Sequence, residues 1–227
     1  MSYLTCMLYM LGTLATATVA LVLARRLGVC FAIAAFAGVI ATSNVIASKI
    51  VTFGPYLFVP AAVLMYASSF LITDVISEIW GKKEAFLAVA GGLIANVFLI
   101  LGCSMAIAWK AAPFWGNQQA FASVLGAVPR VVVASVIAYA VSQTHDVLAF
   151  HFWKRKTGGK HLWLRNNLST MVSQLLDTVI FITIAFYGIL PLFPLILGQY
   201  IVKFLVAACD TPFCYLAVKL VKGGKND

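Results

Sequence analysis

Seven apolar stretches, each about 20 residues long, occupy most of this chain. They run approximately over Leu4–Leu23, Val29–Ile50, Leu57–Trp80, Phe86–Ala108, Val128–Phe150, Leu168–Gly188 and Leu192–Leu220. A segment entering hydrocarbon must satisfy its own backbone donors and acceptors, so each stretch is expected to be a helix. The fold expected is an all-α polytopic membrane protein, with about six core transmembrane helices plus one N-terminal helix near residues 1–24. No linker, charge block or low-complexity tail divides the chain, so 1–227 reads as a single integral membrane domain with its core at about 28–221. The seventh stretch is long enough to tilt or break, and Pro212 gives it a place to do so.

The charges set an orientation. Only 10% of residues are charged, against roughly a quarter in soluble domains, and the net charge is +9. That excess does not form a nucleic-acid surface. Arg25, Arg26, Lys82, Lys83, Lys154, Arg155, Lys156, Lys160, Arg165, Lys219, Lys222 and Lys225 follow the odd-numbered stretches, whereas the alternate loops hold only Lys49 and Lys110. The asymmetry is the positive-inside pattern, with the N-terminus outside and the C-terminus in the cytoplasm. No Lys or Arg precedes the first stretch, which reads as a retained helix and not a signal peptide. Trp109, Phe114 and Trp115 read as an interfacial belt, and Gln118–Ala127 as a short interfacial helix. Cys6, Cys30, Cys103, Cys209 and Cys214 show neither zinc-site spacing nor a disulfide framework, and no metal or cofactor is expected.

Carboxylates inside apolar stretches are costly and usually functional. Two lie in a phrase written twice: Val141-Ser142-Gln143-Thr144-His145-Asp146 and Val172-Ser173-Gln174-Leu175-Leu176-Asp177. Ser and Asp are four apart and Gln and Asp three apart, so each trio shares a helix face. The two copies sit on antiparallel neighbours and would present two polar clusters to one cavity. Asp74 and Glu78 are one turn apart, and two carboxylates closing in a dry site share a proton. Glu78 could instead lie at the interface and pair with Lys82. Asn44 offers an amide to a planar ligand, Arg130 stands near the outer end of the fifth stretch, and Lys203 is two turns before Asp210. By depth, the four aspartates form an acidic layer beneath Asn44, Arg130 and Lys203.

Taken in order, Thr42-Ser43-Asn44, Thr73-Asp74 with Glu78 and Gly81-Lys82-Lys83, Pro129-Arg130, Gln143 with Asp146, Ser173 with Asp177, and Lys203 with Asp210-Thr211-Pro212 resemble the queuosine precursor transporters. These are the vitamin uptake transporter family of bacterial inner membranes. The resemblance runs from the second stretch to near the C-terminus and leaves the first helix unmatched. It implies a non-enzymatic importer of a deazaguanine bearing a cyano or aminomethyl group, feeding tRNA queuosine salvage. It also implies a single polypeptide, with a homodimer compatible with it, and the chain carries no Gly-Lys-Ser/Thr phosphate loop. The substrate-binding residues expected are Asn44, Asp74, Glu78, Arg130, Gln143, Asp146, Gln174, Asp177, Lys203 and Asp210. Either Asp177 or Asp146 would take the ring's N–H edge. The competing readings are a substrate-binding subunit of an energy-coupling vitamin transporter and a proton or ion channel. An intramembrane enzyme lacks its usual Gly-x-Ser-x-Gly or His-Glu-x-x-His signature.

Overall fold

The computed structural model describes residues 3–47, 49–53, 57–126, 129–188 and 191–222. Among them the order is α1 (Tyr3–Leu27), α2 (Val29–Ile46), β1 (Ile50–Phe53), β2 (Leu57–Pro60), α3 (Val63–Ile79), α4 (Lys82–Ala108), α5 (Gln118–Leu125), α6 (Pro129–Lys156), α7 (Leu162–Phe186) and α8 (Leu192–Lys222). The protein is an all-α polytopic membrane protein. Five of these helices, α1, α2, α4, α7 and α8, are long and apolar enough to cross a bilayer.

The bundle is organised around α3. This helix packs on α1, α2, α4, α6, α7 and α8, and every residue from Ala67 to Ser77 is buried. Enclosure on all sides explains its sequence. Ser68, Ser69, Thr73, Asp74 and Ser77 would be intolerable against lipid, but here they face other helices. At 17 residues, α3 spans only about 26 Å, short of the roughly 30 Å hydrocarbon core. It is preceded by a β-hairpin that the apolar pattern does not announce. Leu57–Trp80 reads as one crossing, yet Leu57–Pro60 is a strand, paired antiparallel to β1 in the register Ile50↔Pro60 to Phe53↔Leu57. Irregular backbone at membrane depth survives where it is covered by protein or lines a cavity. Val59 is buried against Val63 and Val202, and Ala61 N donates to Lys49 O at 2.7 Å.

The N-terminal helix is an integral part of the bundle. Met10, Leu14, Ala17, Leu21 and Ala24 are buried at alternating spacings of four and three, a knobs-into-holes seam against α8, α2 and α3. Arg25 Nη1 donates to Leu220 O at 3.1 Å and ties its end to α8. A short helix, α5, stands where an interfacial one is expected, with no residue buried and Gln118 Nε2 donating to Ile107 O at 3.0 Å. Ala127 lies outside the described residues. In contrast to a break at Pro212, α8 runs unbroken through it. Only one backbone donor is lost there, and neighbouring helices hold the rest in place.

Glu78 sits at the end of α3 that meets the basic loops. Its carboxylate reaches Lys154 Nζ at 3.1 Å and Lys222 Nζ at 3.4 Å, clamping α3 to α6 and α8. The interfacial reading paired it with Lys82; the partners come instead from the sixth and eighth helices. Both lysines are about a third exposed, so each pair is worth at most about 1 kcal/mol. Glu78→Gln is expected to lower the midpoint of thermal unfolding in detergent by a few degrees.

Candidate functional site

The repeated phrase acts as a pairing device. Helices α6 and α7 pack more extensively than any other pair, joined through a turn in which Gly158 (φ 58°) and Gly159 (φ 81°) take left-handed conformations. Ser142 Oγ of the first copy donates to Asp177 Oδ1 of the second at 3.2 Å. Ser173 of the second copy faces Asp146 of the first, within hydrogen-bonding reach. Each copy's serine therefore meets the other copy's aspartate, as antiparallel alignment of two identical spacings requires. His145 Nδ1 lies 2.9 Å from Ser173 Oγ. This reciprocity places the two aspartates about one helical turn, roughly 6 Å, apart in depth along the bundle rather than side by side.

The upper pair opens on a cavity at the hairpin end. Its walls include Ser43 and Asn44 from α2, Pro60 from β2, Tyr66 from α3, Asn96 from α4, Tyr139 from α6, Asp177 and Phe181 from α7, and Gln199 and Lys203 from α8. One wall is ionic. Asp177 Oδ2 pairs with Lys203 Nζ, and Oδ1 accepts from Tyr66 Oη at 2.8 Å and from Ser142. Lys203 Nζ also lies 5.3 Å from the Tyr66 ring centroid, within cation–π range. The facing wall is an amide pair, Asn44 Nδ2 donating to Asn96 Oδ1. Between them Ser43 Oγ and Gln199 Oε1 are buried without a hydrogen-bond partner among the described residues. Unsatisfied buried polar atoms are rare and call for a water or a ligand. The rings of Tyr66, Tyr139 and Phe181 supply flat apolar cover.

Gly92 keeps Tyr139 in this wall. A Cβ there would overlap the Tyr139 hydroxyl and stand 2.8 Å from Phe36 Cε1. Tyr139 Oη donates to Val89 O at 3.1 Å, so its ring is locked against α4. Gly92→Ala is expected to cost about 1–3 kcal/mol through overpacking, read by thermal unfolding beside the wild type.

A second polar layer lies toward the basic end. Asp74 Oδ2 accepts from Thr170 Oγ1 at 3.0 Å, and Asp146 Oδ2 from Thr73 Oγ1 at 3.4 Å. Asp210 stands near Asp74. Gln143 Nε2 donates to Ser69 Oγ at 3.1 Å, which turns it toward α3. Gln174 is buried with neither amide atom partnered among the described residues. Of the ten expected residues, Asn44, Asp177 and Lys203 line the cavity. Asp74, Gln143, Asp146, Gln174 and Asp210 are buried but outside its lining, and Glu78 is in the basic-end clamp. The Arg130 side chain lies outside the described residues. Asn96, Tyr66 and Tyr139 are cavity residues that the sequence reading passed over. A lone amide amid apolar residues in the fourth stretch was the available signal for Asn96.

With this geometry in place, the comparisons decide the family. Residues 60–217 match the family described as "Putative vitamin uptake transporter". The chain belongs to that family. A relative from Bacillus subtilis (strain 168), named "Probable queuosine precursor transporter", is 35% identical over 162 residues, covering 70% of this chain and 71% of the relative. No solved structure matches the chain. The protein is thus a membrane transporter rather than an enzyme. The family match begins at Pro60, so α1 and α2 precede it, although α2 carries Ser43 and Asn44 into the transporter's cavity.

Proposed function

We propose that this transporter imports a queuosine precursor, a deazaguanine bearing a cyano or aminomethyl group, across the bacterial inner membrane, with the N-terminus outside. The carrying observation is the cavity itself: two unpartnered polar atoms, Ser43 Oγ and Gln199 Oε1, between an amide wall and an ionic wall. A guanine-like edge presents adjacent N–H donors and a carbonyl. Gln199 Oε1 and the Asp177 carboxylate can accept from the donors, while Asn44, Asn96 and Lys203 can donate to the carbonyl and ring nitrogens. Tyr66, Tyr139 and Phe181 would cover the ring faces. The similarity to the Bacillus subtilis relative supports the same substrate class.

The positive-inside pattern turns the hairpin end, and with it the cavity, toward the outside. On this reading Asp177, not Asp146, meets the ligand, and the deeper acids lie on the way to the cytoplasm. This orientation puts the head of α6, with Arg130 in its first turn, on the outer side. The test is a bacterial strain that cannot make queuosine and lacks its own transporter. Expression of this chain alone is expected to restore queuosine in tRNA from nanomolar external precursor. A properly inserted protein that restores none would overturn the assignment.

A further inference from the structure

The deeper acids remain without a role in ligand contact, and their hydrogen bonding is incomplete. Asp74 and Asp146 are both fully buried, and their carboxyls stand within hydrogen-bonding reach of each other. Thr170 bonds Asp74 Oδ2 and Thr73 bonds Asp146 Oδ2, with Ser169 and Ser173 also in reach of Asp146, whereas among the described residues Asp74 Oδ1 and Asp146 Oδ1 make no hydrogen bond of normal geometry. Two ionised carboxylates have no proton to bond with and repel. One proton held between them gives each a partner and removes one buried charge.

Two further side chains, outside this pair, point to proton passage through it. Gln174 lies on α7 between Thr170, which bonds Asp74, and Asp177 on the cavity wall, one turn from each. It is 1% exposed, with neither amide atom partnered. Ser77 lies one turn beyond Asp74 toward the basic end, fully buried, and its hydroxyl also has no partner among the described residues. Buried polar atoms of this kind are commonly completed by water. They extend a polar line from the cavity, past the acid pair, toward the cytoplasm.

We propose that Asp74 and Asp146 share one exchangeable proton, and that this proton crosses inward with each substrate molecule along the line Gln174, Asp74–Asp146, Ser77. The proposal rests on the import reading above. In each cycle a carboxyl O–H bond breaks toward cytoplasmic water and re-forms with a proton from the cavity side, so the carrier is unchanged. The titratable groups facing the pair are Asp210 from α8 and, across Ser173, His145 from α6; the residues nearest it on α7 are Ser169, Thr170 and Ser173.

The test uses the full chain in proteoliposomes, with labelled cyano- or aminomethyl-deazaguanine outside and a pH dye inside. Substrate entry is expected to acidify the lumen by about one proton per molecule, and an inward gradient of one pH unit to raise accumulation about tenfold. Asp146→Asn and Asp74→Asn are each expected to abolish both responses while retaining gradient-free exchange of labelled for unlabelled substrate. Retained exchange shows that these variants are folded. Wild-type exchange without lumen acidification overturns the proton proposal and leaves the import reading standing, as does accumulation driven by sodium in place of protons. Absence of exchange with either deazaguanine overturns both.

Discussion

Asp177→Asn is expected to abolish uptake and to destabilise the protein more than any other single change in the cavity. Its carboxylate is the counter-charge of Lys203, and the two side chains are only 7% and 2% exposed. Removing one member of a buried pair leaves the other charge uncompensated, at a cost of about 3–5 kcal/mol. Tyr66 and Ser142 lose their acceptor in the same step. The double variant Asp177→Asn with Lys203→Met separates the two effects. It is expected to recover most of the thermal stability, since a neutral, well-packed pair can match an ionic one, but not the uptake. If the single variant transports normally, Asp177 has no part in recognition.

The second large effect is expected on the amide wall. Asn96→Leu removes the partner of Asn44 and leaves its amide facing an apolar surface. Sites that hydrogen-bond a ligand lose heavily when one partner is left unmatched, and a net loss of about 1.5–3 kcal/mol corresponds to a 10- to 100-fold rise in the half-saturating concentration. The maximal rate is expected to stay within a few-fold, because α2 and α4 also pack through Phe36, Ala88 and Val89. Saturation curves of Asn96→Leu and wild type at equal surface expression measure the difference. An unchanged half-saturating concentration would remove the amide wall from the binding site.

The sequence announces the helices more clearly than their partnerships. Length and hydropathy locate α2, α4 and α8 to within a few residues at most ends, because hydrocarbon thickness dictates those lengths. The hairpin stays hidden, since a short apolar strand followed by an apolar helix has no break in hydropathy. The signals were chemical: Gly54-Pro55 between Ile50-Val51-Thr52-Phe53 and Leu57-Phe58-Val59 is turn chemistry flanked by β-branched and aromatic residues. At the site, periodicity shows that Ser142 and Asp146 share a face, but not that Ser142 reaches across to Asp177. That contact depends on the register between α6 and α7. Likewise Asp74 and Glu78 are neighbours on one helix, yet Glu78 turns to Lys154 and Lys222 while Asp74 turns to Asp146. One turn of α3 separates the interface from the interior.

Transport by the purified chain alone is the most direct test. Reconstituted into liposomes with no other protein, it is expected to take up labelled cyano- or aminomethyl-deazaguanine saturably, with excess unlabelled compound blocking entry and Asp177→Asn abolishing it. Uptake no greater than in empty liposomes for both compounds, from protein shown to be folded and inserted, would contradict the import reading.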